Sequence, residues 1–279
     1  MQVFTKLSTL ILLAAVLAGC SKTDGENRSV YKYDNYVGCY IKPVHLFGTI
    51  HYNSTSGTGG PSLAEQEYNR FWMEMRFDPA VNETYSDGTR YSGEQVRQFW
   101  QDHFICRSLK STDDVIYDQP YNPEFNRIYD SLCTAHRDTQ YQEKYKYAFA
   151  QFSFPAVFRK MTLDVVSDAP YDAAHPAGAS LADIISLHFP TAKEFIESGY
   201  QAAEPTKNLY YVKNGDMVLI EPLNQFNNEY RKLVGGSFRF EFTKAPDATS
   251  THRFTIVYRD EDGRVLTSQM APVTIQDGK

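Results

Sequence analysis

Two groups of side chains in this sequence have residue types that could do acid–base or metal chemistry. The larger group combines three acids with one imidazole: Asp168, Asp172, Asp183 and His175. A carboxylate beside an imidazole can orient a general base, so these residues are candidates for a catalytic or binding cluster. Turn and capping chemistry is the alternative explanation for Asp172 and Asp183, since Asp often accepts backbone hydrogen bonds at turns and helix starts.

The second group, Cys133 and His136, has a spacing that would put a thiolate and an imidazole on one face of a helix. Zinc takes four ligands, so this pair is at most half a site and we expect no metal or cofactor. His45 and His51 share a strand face but lie about 20 Å apart at about 3.3 Å per residue. The acidic segment 260–263 is too short for a calcium loop and indicates a hairpin turn.

Motifs of common nucleophiles and phosphate-binding loops are absent from the sequence. It contains no Gly-x-Ser-x-Gly elbow, no Gly-x-x-x-x-Gly-Lys loop and no His-Glu-x-x-His pair. The chain is therefore expected not to be an enzyme. A hydrolase with a dispersed carboxylate site is the alternative, because the 34 Asp and Glu residues leave it open.

Composition places the chain among globular proteins. Its 279 residues are 42% hydrophobic and 22% charged, which excludes wholesale disorder, collagen and a coiled coil. A formal net charge of −6, with no basic run longer than two residues, argues against a nucleic-acid partner. The 20 Tyr and 18 Phe favour strands over helices.

The first 19 residues have the organisation of a signal peptide. Lys6 supplies the positive charge, and the apolar run from Leu7 to Leu17 is shorter than the roughly 20 residues of a membrane span. The run ends in Leu17-Ala18-Gly19-Cys20, which resembles the lipobox of bacterial lipoproteins, in which the cysteine thiol carries a diacylglycerol. The alternative is an ordinary cysteine after a generic signal peptide.

Lipidation at Cys20 would fix the location of the protein. Two or more acyl chains hold a protein stably on a membrane, because each buried methylene contributes about 0.8 kcal/mol. Ser21, rather than Asp, follows the cysteine; by resemblance to enterobacterial lipoproteins this implies the outer membrane. Residues 20–34 then form a polar, flexible tether between the lipid and the folded body.

Alternating apolar residues predict a mainly β body over residues 35–279. The pattern is clearest at 71–77, 238–242 and 254–258, where every second residue is apolar. Asn214-Gly215, between two β-prone runs, predicts a hairpin. We predict one antiparallel immunoglobulin-like β-sandwich with short inserted helices, and two small β domains that divide near residue 145 are the alternative.

Short helices are expected at three places. Ser180 and Asp183 have capping-box spacing, which predicts a helix over 181–188. Thr191 to Glu194 repeats this spacing, and residues 94–104 place their apolar side chains on one helical face.

The segment from Tyr171 to Ile184 (YDAAHPAGASLADI) follows a predicted strand that ends at Ser167. It is similar to a block in cell-envelope lipoproteins of the Bacteroidetes that are grouped as domains of unknown function. This resemblance implies an envelope lipoprotein with a β-sandwich body, and it implies no activity.

Three cysteines remain once Cys20 carries lipid, and one disulfide among them has three possible pairings. An oxidising envelope permits such a bridge. We favour Cys106–Cys133 over the pairings of Cys39, because it closes the shorter loop. Three buried thiols are the alternative.

Five tyrosines in a polar segment between residues 111 and 147 form a candidate binding surface: Tyr117, Tyr121, Tyr129, Tyr141 and Tyr145. Exposed aromatic rings beside amides are typical of loops that bind sugars or proteins; the alternative is that these rings pack against the edge of the sandwich. We therefore expect an outer-membrane-anchored lipoprotein with a binding or structural role and a glycan or envelope-protein partner. A concave site with two convergent carboxylates of perturbed pKa, or a carboxylate and a His, would instead favour an enzyme.

The lipobox generates a direct prediction. Cells that express the protein in the presence of labelled palmitate should incorporate label into wild type, and a Cys20→Ala variant should not be labelled because it lacks the acceptor thiol. Intact-mass spectrometry should find acyl chains on an N-terminal cysteine. Equal labelling of both proteins would contradict lipidation at Cys20.

Overall fold

The computed structural model describes residues 31–32, 34–53, 65–106, 122–141, 144–145, 155–201, 209–211, 217–229 and 232–279. The predicted anchor at Cys20, the Asn214-Gly215 turn, Tyr117 and Tyr121 lie outside these residues. Within the described ranges, no helix is both long and apolar enough to cross a bilayer.

The described residues form a mainly β structure, which confirms the predicted class. The strands, in chain order, are β1 Tyr31–Lys32, β2 Cys39–Ile41, β3 Phe47–Tyr52, β4 Phe71–Arg76, β5 Phe104–Cys106, β6 Lys144–Tyr145, β7 Ala156–Val157, β8 Met161–Ser167, β9 Ile185–Thr191, β10 Leu209–Tyr211, β11 Met217–Pro222, β12 Val234–Gly235, β13 Ser237–Phe242, β14 Ser250–His252, β15 Phe254–Asp260, β16 Val265–Gln269 and β17 Val273–Ile275. The helices are α1 Gly93–His103, α2 Pro123–Ala135, α3 Lys193–Glu197 and α4 Leu223–Glu229, with a 3₁₀ turn at Ala182–Ile184.

Most strands join one large, antiparallel-rich sheet in the order β3-β4-β13-β9-β12-β7-β2-β5. The hairpin β10-β11 attaches to β9, and β2 with β7 is a parallel pair. A separate sheet, β16-β15-β8, contributes to the same apolar core. The immunoglobulin-like arrangement stays a prediction.

Aromatic side chains join the large sheet to the β8-β15-β16 sheet. The ring centroids of Phe77 and Tyr258 lie 5.4 Å apart, and those of Phe242 and Phe254 lie 4.9 Å apart. Gly48 on β3 also belongs to this contact, since a Cβ there would lie 2.4 Å from Cε of Met270. A Cβ at this position would require the Met270 and Ser268 side chains to move, because real Cβ atoms are essentially never found at such a distance.

The helix predicted over 181–188 is wrong, because only the 3₁₀ turn forms and Ile185–Thr191 is strand β9. Ile185, Leu187 and Phe189 are buried at alternate positions, while β13 and β11 both hydrogen-bond to β9. This pairing on both edges outweighs a capping signal that is local. The other two helices form as α1 and α3.

The disulfide joins Cys39 to Cys106, so the predicted Cys106–Cys133 pairing is wrong. Cys39 and Cys106 are register partners on the antiparallel strands β2 and β5, with Cα atoms 4.3 Å apart. Loop length measures only the entropy of closure in the unfolded chain, whereas strand register decides which thiols meet. Cys133 is a buried free thiol on α2.

This pairing predicts the behaviour of the cysteines. Peptide mapping without reductant should recover a cross-linked pair that contains Cys39 and Cys106, and Cys133 should react with alkylating reagents only after unfolding. A Cys39→Ala/Cys106→Ala double variant should lose about 2–4 kcal/mol of unfolding free energy, because its unfolded chain is no longer constrained. Reductant should lower the Tm of wild type but leave that of the double variant unchanged. A Cys106–Cys133 peptide would contradict this structure.

Candidate functional site

Trp72 lies at the centre of a polar stripe, which consists of His51, Trp72, Glu74 and Arg239, on the outer face of the large sheet. On β4, Phe71, Met73 and Met75 are buried, whereas Trp72 is partly exposed on the opposite face. His51 of β3 stacks on its ring at 5.3 Å and 14°, and the guanidinium of Arg239 lies 4.2 Å from its ring centre. Because β3 and β13 flank β4, the indole is held from two sides.

A cleft of about 670 Å³ opens beside this stack. Its lining includes the rings of Tyr52, Trp72 and Tyr85 and the hydroxyls of Thr49, Thr84 and Ser86. The segment after β4 folds back over β3, because the Ser86 N–H donates to the carbonyl of Gly48. Aromatic surface with a few convergent polar groups is typical of a small-molecule site.

Tyr85 fixes one wall of this cleft. Its ring packs 5.1 Å from that of Phe47, and its hydroxyl accepts a 2.5 Å hydrogen bond from the N–H of Ala80. Burial raises its pKa to about 12, so the phenol is neutral. Gly88, at φ +82°, allows the turn from Tyr85 to Thr89, in which the N–H of Tyr85 donates to the carbonyl of Thr89 and the N–H of Gly88 donates to the carbonyl of Tyr85.

His51 and Glu74 form an ion pair at the base of the stack, with Nε2 and Oε2 3.2 Å apart. The hydrogen bond to Glu74 raises the pKa of His51, and the same bond lowers the pKa of Glu74. The hydroxyl of Thr49 lies 2.9 Å from the same Nε2 atom. A catalytic relay needs a different ring nitrogen for each partner, so these three side chains do not form a triad.

Glu241 lies on the neighbouring strand β13 and also has a basic partner. Its Oε2 is 3.4 Å from Nε2 of His188, and it forms an ion pair with Arg239. The hydrogen bond from His188 lowers the pKa of Glu241, as His51 does for Glu74. A glycosidase needs one carboxyl that stays protonated near neutral pH, and neither glutamate meets this requirement.

The structure brings together three of the four residues in the larger candidate group. His175 is buried, with Nδ1 2.7 Å from the carboxylate of Asp172 and Nε2 2.8 Å from that of Asp183. The ammonium of Lys244, just beyond β13, lies 2.6 Å from the second Asp172 oxygen. Asp168 is not part of this cluster, since its carboxylate accepts from the N–H of Arg253.

The charges of this cluster stabilise one another. Burial by itself would raise the pKa of Asp172, but hydrogen bonds from Lys244 and His175 lower it to about 2. Burial would likewise lower the pKa of His175, but the two carboxylates raise it. Both ring nitrogens of His175 are engaged by carboxylates, so the imidazolium acts as a clamp between Asp172 and Asp183 rather than as a base.

The tyrosine surface predicted from sequence is wrong for Tyr129 and Tyr141. Both are buried, at 1% and 2% exposure, in a second core with Tyr36 and Tyr40 around α2. The hydroxyl of Tyr129 donates to the carbonyl of Val37, so this buried polar group has a hydrogen-bond partner. The side chain of Tyr145 lies outside the described residues.

Sequence reasoning missed His51 and Trp72 as members of a site. The alternation at 71–77 sets Trp72 on the face opposite Phe71 and Met73, and a large ring at such an outward position is the available signal. Cys133 and His136 both contact Tyr40, whose hydroxyl lies 3.7 Å from Sγ of Cys133 and whose ring stacks on that of His136 at 5.9 Å.

The His175 cluster predicts a pH-dependent contribution to stability. His175→Ala should lower the unfolding free energy by about 1–3 kcal/mol, because it removes the hydrogen bonds between the imidazole and the carboxylates of Asp172 and Asp183. The difference from wild type should be largest between pH 3.8 and 6.5, the ordinary pKa values of the two groups. The difference should decline as the pH rises through the raised pKa of His175, and also as the pH falls towards the lowered pKa of Asp172.

Denaturant unfolding across this pH range provides the measurement. Asp168→Asn is the matched control, because Asp168 belongs to the same segment but does not contact His175. A His175→Ala difference that does not vary with pH would contradict the clamp.

The comparisons with known proteins identify no relative. No protein-family model, no curated protein and no solved structure matches this chain.

Proposed function

We propose that this protein is a lipid-anchored component of the outer membrane whose β body binds a glycan without cleaving it. The lipobox that ends at Cys20 supports the anchor, and Ser21 supports the outer membrane. The two aromatic contacts between the sheets, Phe77–Tyr258 and Phe242–Phe254, support a sandwich of immunoglobulin-like outline. An anchored body would meet envelope glycans at high local concentration.

The observation that carries the binding role is the cleft beside Trp72. Sugar rings present apolar C–H faces and hydroxyl groups, and the residues that line the cleft include both aromatic and hydroxyl side chains. Its volume of about 670 Å³ is within the usual range for small ligands and suits a short oligosaccharide.

The stack around Trp72 favours binding for a second reason. His51 and Arg239 pack on the indole from the two flanking strands and hold it in one orientation, so a ligand that contacts the part of the ring at the cleft does not have to immobilise it. His51, which pairs with Glu74, adds an imidazole to the lining. Binding therefore needs little rearrangement.

A hydrolase remains the second candidate, because His51 and Glu74 are a carboxylate–imidazole pair at a concave site. The lowered pKa values of Glu74 and Glu241 argue against it. Buried Asp78 and Asp138 have raised pKa values, but neither lines the cleft.

Glycan binding can be tested with a glycan array followed by calorimetry on the best oligosaccharide. Trp72→Ala should weaken binding about tenfold, because loss of an aromatic contact of about 1.4 kcal/mol corresponds to that factor. The chain has two Trp, so a Trp100→Phe variant isolates the fluorescence of Trp72, which should change on ligand addition.

Trp100→Phe is also the control for affinity, since Trp100 packs against Phe104 away from the cleft lining. It should bind as wild type does. Equal affinity of wild type and Trp72→Ala would contradict the site, and release of shorter oligosaccharides by wild type would favour the hydrolase.

A further inference from the structure

A second cleft, of about 420 Å³, lies at the C-terminal end of α2. Four basic residues line it: His136, Arg137, Lys193 and Lys232. Glu197 is the one acid among the described residues of this lining. The basic residues come from three separate segments of the chain, after α2, at the start of α3 and before β12.

Among the residues that the structure describes, the three permanent cations have no carboxylate partner. In the part of the chain that the structure describes, no ion pair involves Arg137, Lys193 or Lys232. Lys193 and Lys232 are nevertheless partly buried. Like charges that line one cleft repel one another, and the single carboxylate of Glu197 offsets only one of the three, so a bound anion would relieve this repulsion.

The backbone of Arg137 gives an independent indication. Its φ is +60°, the left-handed conformation that glycine normally supplies after the last turn of a helix. Asp138 holds this turn in place, because its carboxylate accepts from the N–H groups of Tyr36 at 2.8 Å and Val37 at 2.9 Å. Strained residues of this kind occur preferentially at functional sites.

Neutralisation of the helix end is the simpler explanation for part of this arrangement. Cations near the last turn of α2 interact favourably with the helix dipole, and this accounts for His136 and Arg137. It does not account for Lys193 and Lys232, which belong to other elements yet line the same cleft.

We propose that this cleft binds the phosphate group of a small phosphate monoester, with Arg137 as the main ligand and Lys193 and Lys232 as flanking charges. Arg presents paired N–H donors that match phosphate oxygens. Three cations and Glu197 leave two net positive charges, which a phosphate dianion neutralises. The volume exceeds that of phosphate alone and leaves room for a group the size of a sugar.

The test is calorimetry on the detergent-solubilised full-length lipoprotein with glucose 6-phosphate, and with glucose as the uncharged comparison. Wild type should bind the phosphate ester and not glucose. Arg137→Gly should weaken binding about tenfold, as expected for loss of a charge-assisted hydrogen bond. The same variant should have a higher Tm, since glycine relieves the left-handed strain, and this combination separates binding from folding.

Two further variants complete the experiment. Lys232→Gln should also weaken binding and leaves the strained turn intact, so it tests the site even if Arg137→Gly folds poorly. Arg127→Gln is the matched control, because Arg127 is exposed on the same helix and pairs with Glu124. Wild-type affinity for glucose 6-phosphate in both Arg137→Gly and Lys232→Gln would overturn the proposal. An equal loss of affinity in Arg127→Gln would also overturn it.

A lipid headgroup is the competing source of phosphate. Dihexanoyl phosphatidylglycerol, a phosphodiester used below its micelle concentration, should compete poorly with glucose 6-phosphate. Stronger binding of this lipid than of the monoester would overturn the proposal in favour of a membrane-contact surface.

Discussion

The pairing of β4 with β3 on one edge and β13 on the other is the constraint on which the proposed glycan site depends. Because side chains of a strand alternate between faces, this pairing buries Met73 and Met75 and leaves Trp72 and Glu74 outside. The same register sets His51 opposite Trp72. The core and the polar stripe therefore follow from one set of backbone hydrogen bonds.

A single carboxylate has a comparable role at the second cleft. Asp138 is fully buried, and two backbone N–H groups and the hydroxyl of Tyr200 donate to it. Burial raises its pKa although these hydrogen bonds oppose the change. By fixing the chain after α2 against the segment before β2, Asp138 holds Arg137 in its strained conformation.

The ionisable clusters show why residue types alone do not establish an activity. His175 has the carboxylate neighbours of a catalytic imidazole, but both of its nitrogens are engaged. His51 has a hydroxyl and a carboxylate nearby, but both meet the same nitrogen. In each case the geometry favours a fixed charge, which suits stability or ligand binding better than proton transfer.

The sequence by itself determined the features that depend on neighbours along the chain. Strand alternation at 71–77 and the helix at 94–104 follow from side chains that share a face, and both formed. The candidate site could be predicted only to the extent that Trp72 faces outward. Its contacts with His51 and Arg239 come from separate strands, so no local pattern encodes them.

Tertiary structure decided the features that depend on distant partners. Cys106 pairs with Cys39 because β2 and β5 lie side by side, which loop length could not reveal. Residues 185–191 became a strand because β11 and β13 supply hydrogen bonds on both edges. Tyr129 and Tyr141 are buried because α2 covers a second core. Each outcome depends on the burial and backbone hydrogen bonds that distant segments provide, and these exceed the local preference of the chain.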